Sequence, residues 1–300
     1  MSDKPKVSTI IPAFNEEGGI GPVIKGLQAV LEPNTAEYEI IVIDDGSSDK
    51  TAQEAQEAGA KVIRHPANRG YGRALLSGID EARHEWILMT DGDGSYPPEE
   101  ATKMLAGIPR FDMVIGTRQG RLFWGSPMKA FLRWMYLTMA GIVVGESIPD
   151  ANSGMRIFRL SSFKESMPFF CLGYSFSTTM TLSFINAGAF VLHQPINFVA
   201  RTGSSKVRFI RDILRTLQIM AQVILYFNPL KLTVLMAIAE LVLGLAIGWM
   251  LCSKSQHSLS AAVTIAATVT AIGTFLVGLL LEMIRLNIQP SGSLGRKPTT

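Results

Sequence analysis

Two aspartates, Asp91 and Asp93, stand one residue apart in the stretch EWILMTDGDGSYPPEE, residues 85–100. Carboxylates this close repel each other, and a divalent cation or a cationic partner between them relieves the repulsion. Asp-Gly sequences are also ordinary turn formers, so the stretch by itself favours a simple turn. An EF-hand calcium loop does not fit, because that pattern needs glycine where Tyr96 stands. The choice between a turn and a metal site depends on the rest of the chain.

Other acidic residues follow apolar runs in the same way. Glu16 comes after KVSTIIPAFN, and Asp44 and Asp45 end the run YEIIVIDD. The segment after each run has helical spacing or helix-capping residues, and AKVIRHP, YGRALLSGIDEAR and EWILMT continue the alternation. Alternating strands and helices predict the α/β fold class, with a doubly wound, mostly parallel sheet.

In such a sheet, ligands bind beyond the carboxyl ends of the strands. We therefore expect the acidic residues after three separate strands to meet in one crevice. A nucleoside diphosphate with Mg²⁺ or Mn²⁺ is the ligand that they predict, because hard carboxylate oxygens hold such a cation and the cation neutralises the diphosphate.

The apolar residues of this 300-residue chain, which carries a formal net charge of +3, are concentrated near its end. Two segments, about 231–252 and 258–282, are almost free of charge, and each is long enough to cross a hydrocarbon core of about 30 Å. The short link between them allows only a tight hairpin. The alternative is a pair of buried helices in a soluble domain, but the uncharged second segment favours a membrane hairpin.

Basic residues flank the hairpin on one side. Lys231 and several arginines precede the first segment, Arg285 follows the second, and the link offers only Lys254 and His257. The distribution predicts a multi-pass protein of the plasma (inner) membrane with both termini and the preceding domain in the cytoplasm. The first residues have no signal-peptide pattern. The basic clusters fit anionic lipid headgroups, and nucleic acid is not an expected partner.

Seven motifs in order carry a family resemblance, and they are STIIPAFNEE, EIIVIDDGSSDKT, NRGYGRALLSGI, MTDGDGSYPPEE, VIGTR, DANSGMRIFR and ARTGSSKV. The chain from about Val7 to Val207 resembles the family-2 glycosyltransferases with the GT-A fold, specifically the dolichol-phosphate mannose synthase branch. The paired apolar segments resemble those of bacterial members that glycosylate polyprenyl phosphate.

The resemblance implies a set of nucleotide-sugar ligands. These would be Pro12, Phe14, Glu16, Asp91, Gly92, Asp93, Arg201 and either Asp44 or Asp45, with the other of that pair bracing the loop. Asp91 and Asp93 would be the metal residues. Phe14 stands where a tyrosine is common in the family, and Ser95 where a metal-side glutamine is frequent.

The resemblance also implies catalytic and acceptor-binding residues. Catalytic roles fall on Asp93, Arg118, Asp150, Arg201 and Lys206, and acceptor contacts on Arg118, Ser153, Arg156, Ser205 and Lys206. Three alternatives stay open. Arg118 could be a surface cation, Asp150 could cap the helix that follows, and the cations of RTGSSK could be the positive flank of a membrane anchor.

The resemblance implies an inverting transfer of a sugar from a UDP- or GDP-sugar to undecaprenyl or dolichyl phosphate. The expected domains are a cytosolic catalytic domain over 1–205, an amphipathic interface helix over 206–229, two membrane helices within 230–286 and a disordered tail over 287–300. Residues 122–144 are also expected at the lipid interface. Small residues in the spans, such as Gly244 and Gly248, would permit helix contacts within a homo-oligomer.

Three other functions remain as alternatives. A processive polysaccharide synthase would carry Gln-x-x-Arg-Trp, but Ala130 replaces the glutamine in AFLRW. A nicotinamide-binding enzyme could use GYGRAL, although the third glycine is missing and the motif follows the third strand. A non-catalytic nucleotide-sugar-binding membrane protein would bind nucleotide without turnover.

Overall fold

A computed structural model describes residues 4–167, 176–199, 218, 221, 225 and 228–288. The chain divides into two compact units, Met1–Met220 and Ala221–Thr300. The first unit contains the acidic loops, and the second contains the two apolar segments. The finer domain boundaries predicted from the sequence stay a prediction.

The first unit alternates strands with helices, as the sequence pattern predicted. Its strands are β1 (Lys6–Ala13), β2 (Glu37–Asp44), β3 (Lys61–Arg64), β4 (Trp86–Met89), β5 (Met113–Arg118), β6 (Arg156–Arg159) and β7 (Val191–Ile196). The helices among its described residues include α1 (Ile20–Asn34), α2 (Thr51–Glu57), α3 (Tyr71–Asp80), α4 (Glu100–Leu105), α5 (Gly120–Trp124), α6 (Pro127–Val144), α7 (Leu160–Ser166) and α8 (Phe176–Asn186).

The seven strands form one sheet in the order β3-β2-β1-β4-β6-β5-β7. β6 is antiparallel to both of its neighbours, β4 and β5, and every other pairing is parallel. The predicted fold class, an α/β unit with a mostly parallel sheet, is confirmed. The repeating sequence pattern did not reveal β6, β7 or the antiparallel direction of β6.

Helices cover both faces of the sheet. On one face, α1, α2 and α4 pack their apolar side chains, such as Leu27 and Met104, against Ile11 and Leu88 of the central strands. On the other face, α3, α7 and α8 form a second buried cluster. Central strands that are buried on both faces are nearly continuous apolar runs, which explains why their sequences lack alternation.

The register of the central strands brings their carboxyl ends together. Ala13 at the end of β1 pairs with Asp44 at the end of β2, and the backbone nitrogen of Asp45 donates to the Ala13 carbonyl at 2.9 Å. The backbone nitrogen of Thr90, just after β4, donates to the Ile10 carbonyl at 3.2 Å. The three loops that follow these strands therefore leave the sheet side by side.

The second unit contains two long apolar helices, Pro229–Ser253 and His257–Ile288. Both are long and apolar enough to cross a membrane, judged by length and composition. They coincide with the two predicted segments, and the second helix continues six residues past the predicted end at 282. Most of the predicted interface helix over 206–229 and of the tail over 287–300 lies outside the described residues.

Small residues let these two helices pack closely. A Cβ atom added to Gly244 would overlap the Cβ of Ala267, and one added to Gly248 would overlap the hydroxyl of Thr264. Glu240, near the middle of the first helix, accepts hydrogen bonds from the Thr274 hydroxyl at 3.0 and 3.1 Å. The Ser260 hydroxyl also donates to the Gly248 carbonyl at 2.6 Å, so small residues and polar contacts both join the two helices.

We predict that Gly244→Ala destabilises the hairpin, although alanine is the better helix former. Overpacking of this kind costs roughly 1–3 kcal/mol. The thermal midpoint of helix unfolding in detergent, followed by circular dichroism, should fall.

Gly273→Ala is the matched control, because no atom lies within 4 Å of a Cβ added at Gly273. Its midpoint should be unchanged or higher. Equal midpoints for the two variants would contradict the proposed role of Gly244 in helix packing.

Candidate active site

A cavity of about 340 Å³ opens beyond the carboxyl ends of β1, β2 and β4. Its volume is in the range of small-molecule sites. Eight of the residues predicted from the sequence line it: Pro12, Phe14, Glu16, Asp45, Asp91, Gly92, Asp93 and Arg118. The expectation that acidic loops from separate strands meet at one place is therefore confirmed.

Asp44 and Asp45 have different surroundings. Asp44 is fully buried, accepts from the Ser47 nitrogen at 2.8 Å and forms an ion pair with Arg64 at 3.1 Å. Asp45 lines the cavity, but its oxygens accept from the side chain of His65 and from the backbone nitrogens of residues 69 and 70 at 2.7 to 3.1 Å. Asp44 thus braces its own loop, and Asp45 is the member of the pair that reaches the cavity.

Asp93 stands in a turn and in the cavity at the same time. Its Oδ1 atom accepts from the backbone nitrogen of Ser95 at 2.9 Å and from the Ser95 hydroxyl at 2.6 Å. The turn and the metal residue are therefore compatible interpretations of this stretch. Ser95 is buried and holds Asp93 through these two hydrogen bonds.

Asp91 is held from two sides. The Tyr71 hydroxyl donates to its Oδ1 atom at 2.9 Å, and a Cβ added to Gly154 would lie 2.5 Å from its Oδ2 atom. Burial and then the negative charge of Asp93 raise the pKa of Asp91 to about 6. Burial, and next the charge of Asp91, raise the pKa of Tyr71 well above its ordinary value, so its hydroxyl remains a hydrogen-bond donor.

Arg118 reaches the cavity from the end of β5. Its Nε and terminal nitrogen donate to the two oxygens of Asp150 at 2.7 and 3.0 Å. The side chain of Arg118 is 17% exposed and that of Asp150 is 2% exposed. This bidentate pair is largely withdrawn from water, so Arg118 is not a surface cation.

Asp150 is the anionic partner of Arg118 in this pair. This residue does not line the cavity, and both of its oxygens accept from Arg118. It also does not cap a helix, because α7 begins only at Leu160 and has no side-chain cap. Asp150 therefore holds the Arg118 side chain, and the catalytic role predicted for Asp150 stays a prediction.

Ser153 and Arg156 also lie behind the cavity wall and not on it. Both are fully buried. The Arg156 guanidinium donates to the carbonyls of Ser153 and Ser177 at 2.6 and 3.0 Å and to the Thr181 hydroxyl at 3.2 Å. These partners all belong to the protein, and the acceptor contacts predicted for Ser153 and Arg156 stay predictions. The other predicted residues, Arg201, Ser205 and Lys206, lie outside the described residues.

Several lining residues were not predicted from the sequence. Tyr71, Tyr96 and Asn152 are such residues, and Gly154 of the DANSGMRIFR motif also lines the cavity. Tyr96 accepts from the Gly154 nitrogen at 2.7 Å, which ties that motif to the Asp-x-Asp turn. Tyr71 lies in NRGYGRALLSGI, one of the motifs that carry the family resemblance, but the motif assigned no role to the tyrosine itself.

The acidic pair fits a hard divalent cation. Asp91 and Asp93 supply only oxygen ligands, and their mutual repulsion would be relieved by a cation. Within the described ranges, no group of three or more His, Cys, Asp or Glu residues is arranged to hold a metal ion. The site thus matches a cation that is shared between one or two carboxylates and the phosphates of a substrate.

Comparison with known proteins decides the family. Residues 8–167 match the model of glycosyl transferase family 2. The chain belongs to this family. Among its relatives is the low-salt glycan biosynthesis hexosyltransferase of Haloferax volcanii, 32% identical over 214 residues, which are 69% of this chain and 51% of that protein.

Two other relatives have names that include a lipid phosphate. The undecaprenyl-phosphate mannosyltransferase of Micrococcus luteus is 27% identical over 67% of this chain and 87% of its own length. The dodecaprenyl-phosphate galacturonate synthase of Rhizobium johnstonii is 27% identical over 53% of this chain and 49% of its own length. The chain spans about half the length of the first curated relatives it matches.

Solved structures share the fold. Mannosyl-3-phosphoglycerate synthase from Rubrobacter xylanophilus has a TM-score of 0.58 at 20% identity, over 73% of this chain and 72% of that chain. Glucosyl-3-phosphoglycerate synthase from Mycobacterium tuberculosis, in complex with Mn²⁺, UDP-glucose and phosphoglyceric acid, has a TM-score of 0.57 at 19% identity, over 73% of this chain and 78% of that chain. The GT-A fold predicted for the catalytic unit is thus confirmed.

We predict that Asp150→Asn lowers the free energy of unfolding by about 3 kcal/mol, because it leaves the Arg118 charge without its anionic partner in a largely dry site. Urea unfolding of the full chain in detergent, followed by tryptophan fluorescence, measures the change.

Glu37→Gln is the matched control, because it removes one carboxylate charge from an exposed ion pair with Lys6. Its stability should change little, since exposed ion pairs contribute little. A loss as large as that of Asp150→Asn would show that the buried pair has no special role.

Proposed function

We propose that this chain is a metal-dependent, inverting glycosyltransferase that moves a sugar from a nucleotide-sugar donor to polyprenyl phosphate at the cytoplasmic face of a membrane. The observation that carries the proposal is the shared cavity, where Asp91, Asp93 and Arg118 come together beyond the strand ends. Family membership and the names of the relatives support the same reaction.

The donor nucleotide is assigned to the side of the cavity formed by the β1 and β2 loops. Pro12, Phe14 and Glu16 line this side, and Asp45 closes it. The diphosphate then lies toward the Asp-x-Asp turn. When bound there, Mg²⁺ or Mn²⁺ would supply the positive charge that the departing nucleoside diphosphate needs.

The acceptor phosphate is assigned to a pair of arginines. Arg118 and Arg133 both lie against the ring of Phe123, with their guanidinium carbons 5.3 and 4.3 Å from its centroid. Burial, and next the charge of Arg118, lower the pKa of Arg133. An anion that binds both cations relieves their repulsion, and guanidinium groups suit the geometry of phosphate oxygens.

A lipid surface is the expected partner of α6. Met128, Phe131 and Trp134 expose 68, 55 and 57% of their surface on this helix. Lys129 is exposed on the same helix, and such a mixture of large apolar side chains and cations is typical of a helix that lies at a membrane interface. The same helix carries Arg133, so it would present the lipid's phosphate to the cavity.

The reaction then needs no strong general base. A phosphate monoester loses its second proton near pH 6, so the acceptor oxygen is already anionic at neutral pH. This oxygen forms a bond to the anomeric carbon while the bond from that carbon to the nucleoside diphosphate breaks, and a single displacement inverts the configuration. The engagement of Asp150 with Arg118 agrees with a mechanism without a base.

The two apolar helices would anchor the enzyme in the bilayer, with both chain ends in the cytoplasm as the flanking cations indicate. Arg201 and Lys206 remain proposed phosphate ligands on the strength of the family resemblance alone.

We predict that the full chain transfers label from one member of a panel of UDP- and GDP-sugars to undecaprenyl phosphate. Transfer should require Mg²⁺ or Mn²⁺ and fall at least 100-fold in Asp93→Ala, which loses a metal carboxylate. Radiolabel extracted into the lipid phase is the measurement.

Asp80→Ala, at an exposed position of α3, is the control and should keep full activity. If the protein binds nucleotide but labels neither lipid nor polymer in any condition, the transferase proposal is wrong. That result would favour a non-catalytic nucleotide-sugar-binding membrane protein. A labelled polymer would instead indicate a polysaccharide synthase.

We further predict that Arg133→Met raises KM for the lipid phosphate about 10-fold or more, because one charge-assisted hydrogen bond to the acceptor is lost. UDP affinity should not change. Lys129→Met removes a cation from the same helix away from Phe123, and it should have a smaller effect on steady-state transfer kinetics. An equal effect of both variants would refute a specific phosphate contact by Arg133.

A further inference from the structure

Tyr71 has a fixed place in the cavity. Gly70, which precedes α3, has a φ of +95°, and its backbone nitrogen donates to Asp45 at 2.8 Å. Asp45 also accepts from the Arg69 nitrogen at 3.0 Å. The carboxylate at the end of β2 therefore fixes the start of α3 and with it the direction of the Tyr71 side chain.

The Tyr71 hydroxyl ends at the acidic pair. It donates to the Oδ1 atom of Asp91 at 2.9 Å, and the Oδ2 atom of the same carboxylate lies beneath Gly154. The Gly154 backbone is held in turn by the Tyr96 hydroxyl at 2.7 Å. The Tyr71 hydroxyl on one side and the Gly154 backbone on the other therefore hold the Asp91 carboxylate in its orientation.

We propose that Tyr71 is a positioning residue that sets the orientation of the Asp91 carboxylate for divalent-cation binding. This inference rests on the proposed function, because it assumes that the acidic pair holds a cation with a nucleoside diphosphate. A carboxylate that ligates a metal depends on its own hydrogen-bond partners, and loss of such a partner lowers metal affinity or activity roughly 10- to 100-fold.

The same contacts give Asp45 an indirect role at the metal site. Its carboxylate holds the two nitrogens before α3 and accepts from His65, so its oxygens are already engaged by the protein. Asp45 then acts on the metal site through Tyr71, by way of the helix start. A chain of hydrogen bonds thus connects the loop after β2, through the start of α3, to the Asp91 carboxylate.

The test is Mn²⁺ binding to the full chain in detergent with saturating UDP, measured from the electron paramagnetic resonance signal of free Mn²⁺. Tyr71→Phe keeps the ring and removes only the hydroxyl. We expect its Kd for Mn²⁺ to rise at least 10-fold, while its affinity for UDP without metal stays within about twofold of the unsubstituted protein.

Tyr136→Phe is the matched control. This tyrosine is also largely withdrawn from solvent, but its hydroxyl bonds Thr178 at 2.6 Å and does not touch the acidic pair. Its Kd for Mn²⁺ should not change. Gly154→Ala is a second variant, which displaces the same carboxylate from its other side and should weaken Mn²⁺ binding while Tyr71 is intact.

Three results overturn the inference. An unchanged Kd for Mn²⁺ in Tyr71→Phe would show that the hydroxyl does not orient a metal ligand. An equal loss of metal-free UDP affinity would show that the hydroxyl acts on the nucleotide directly. Failure of the unsubstituted protein to bind Mn²⁺ with UDP would overturn the proposed function itself, and the inference with it.

Discussion

The parallel register of β2, β1 and β4 is the constraint on which the site depends. It places the ends of three strands side by side, so the loops that begin at Ala13, Asp44 and Thr90 share one edge of the sheet. Apolar residues on both faces hold the strands in this register, since a slip of one residue would turn every buried side chain to the other face. Acidic residues far apart in sequence are thereby concentrated around one cavity.

Concentrating these charges costs free energy, and the surrounding structure offsets it residue by residue. Asp150 is neutralised by Arg118 through two hydrogen bonds. Asp91 instead accepts a hydrogen bond from the Tyr71 hydroxyl, and burial and the charge of Asp93 raise its pKa to about 6. The charge of Asp93 is one of the causes that raise the pKa of Asp91. A cation that arrives with a diphosphate would relieve the repulsion between the two carboxylates, and donor binding and metal binding would then depend on each other.

The sequence predicted β1 to β5, their alternation with helices and the acidic residues that follow β1, β2 and β4, because apolar runs and acidic strand ends are local signals. It did not predict β6 or β7. It could not separate Asp44 from Asp45, since neighbours in a loop differ only in which way they point. It could not show that Arg156 is buried and donates to backbone carbonyls, because a buried cation has the same motif as one that meets a ligand. Tyr71 was missed for a similar reason, since its partner lies 20 residues away.

The most direct test of the account is a crystal structure of the full chain with Mn²⁺ and UDP, in which anomalous scattering locates the cation. The account predicts a Mn²⁺ peak at coordination distance, roughly 2.0–2.2 Å, from a carboxylate oxygen of Asp93 or Asp91, with the diphosphate on its other side and the nucleoside against Phe14. A diphosphate bound away from the acidic pair, or a cation that contacts neither aspartate, would contradict it.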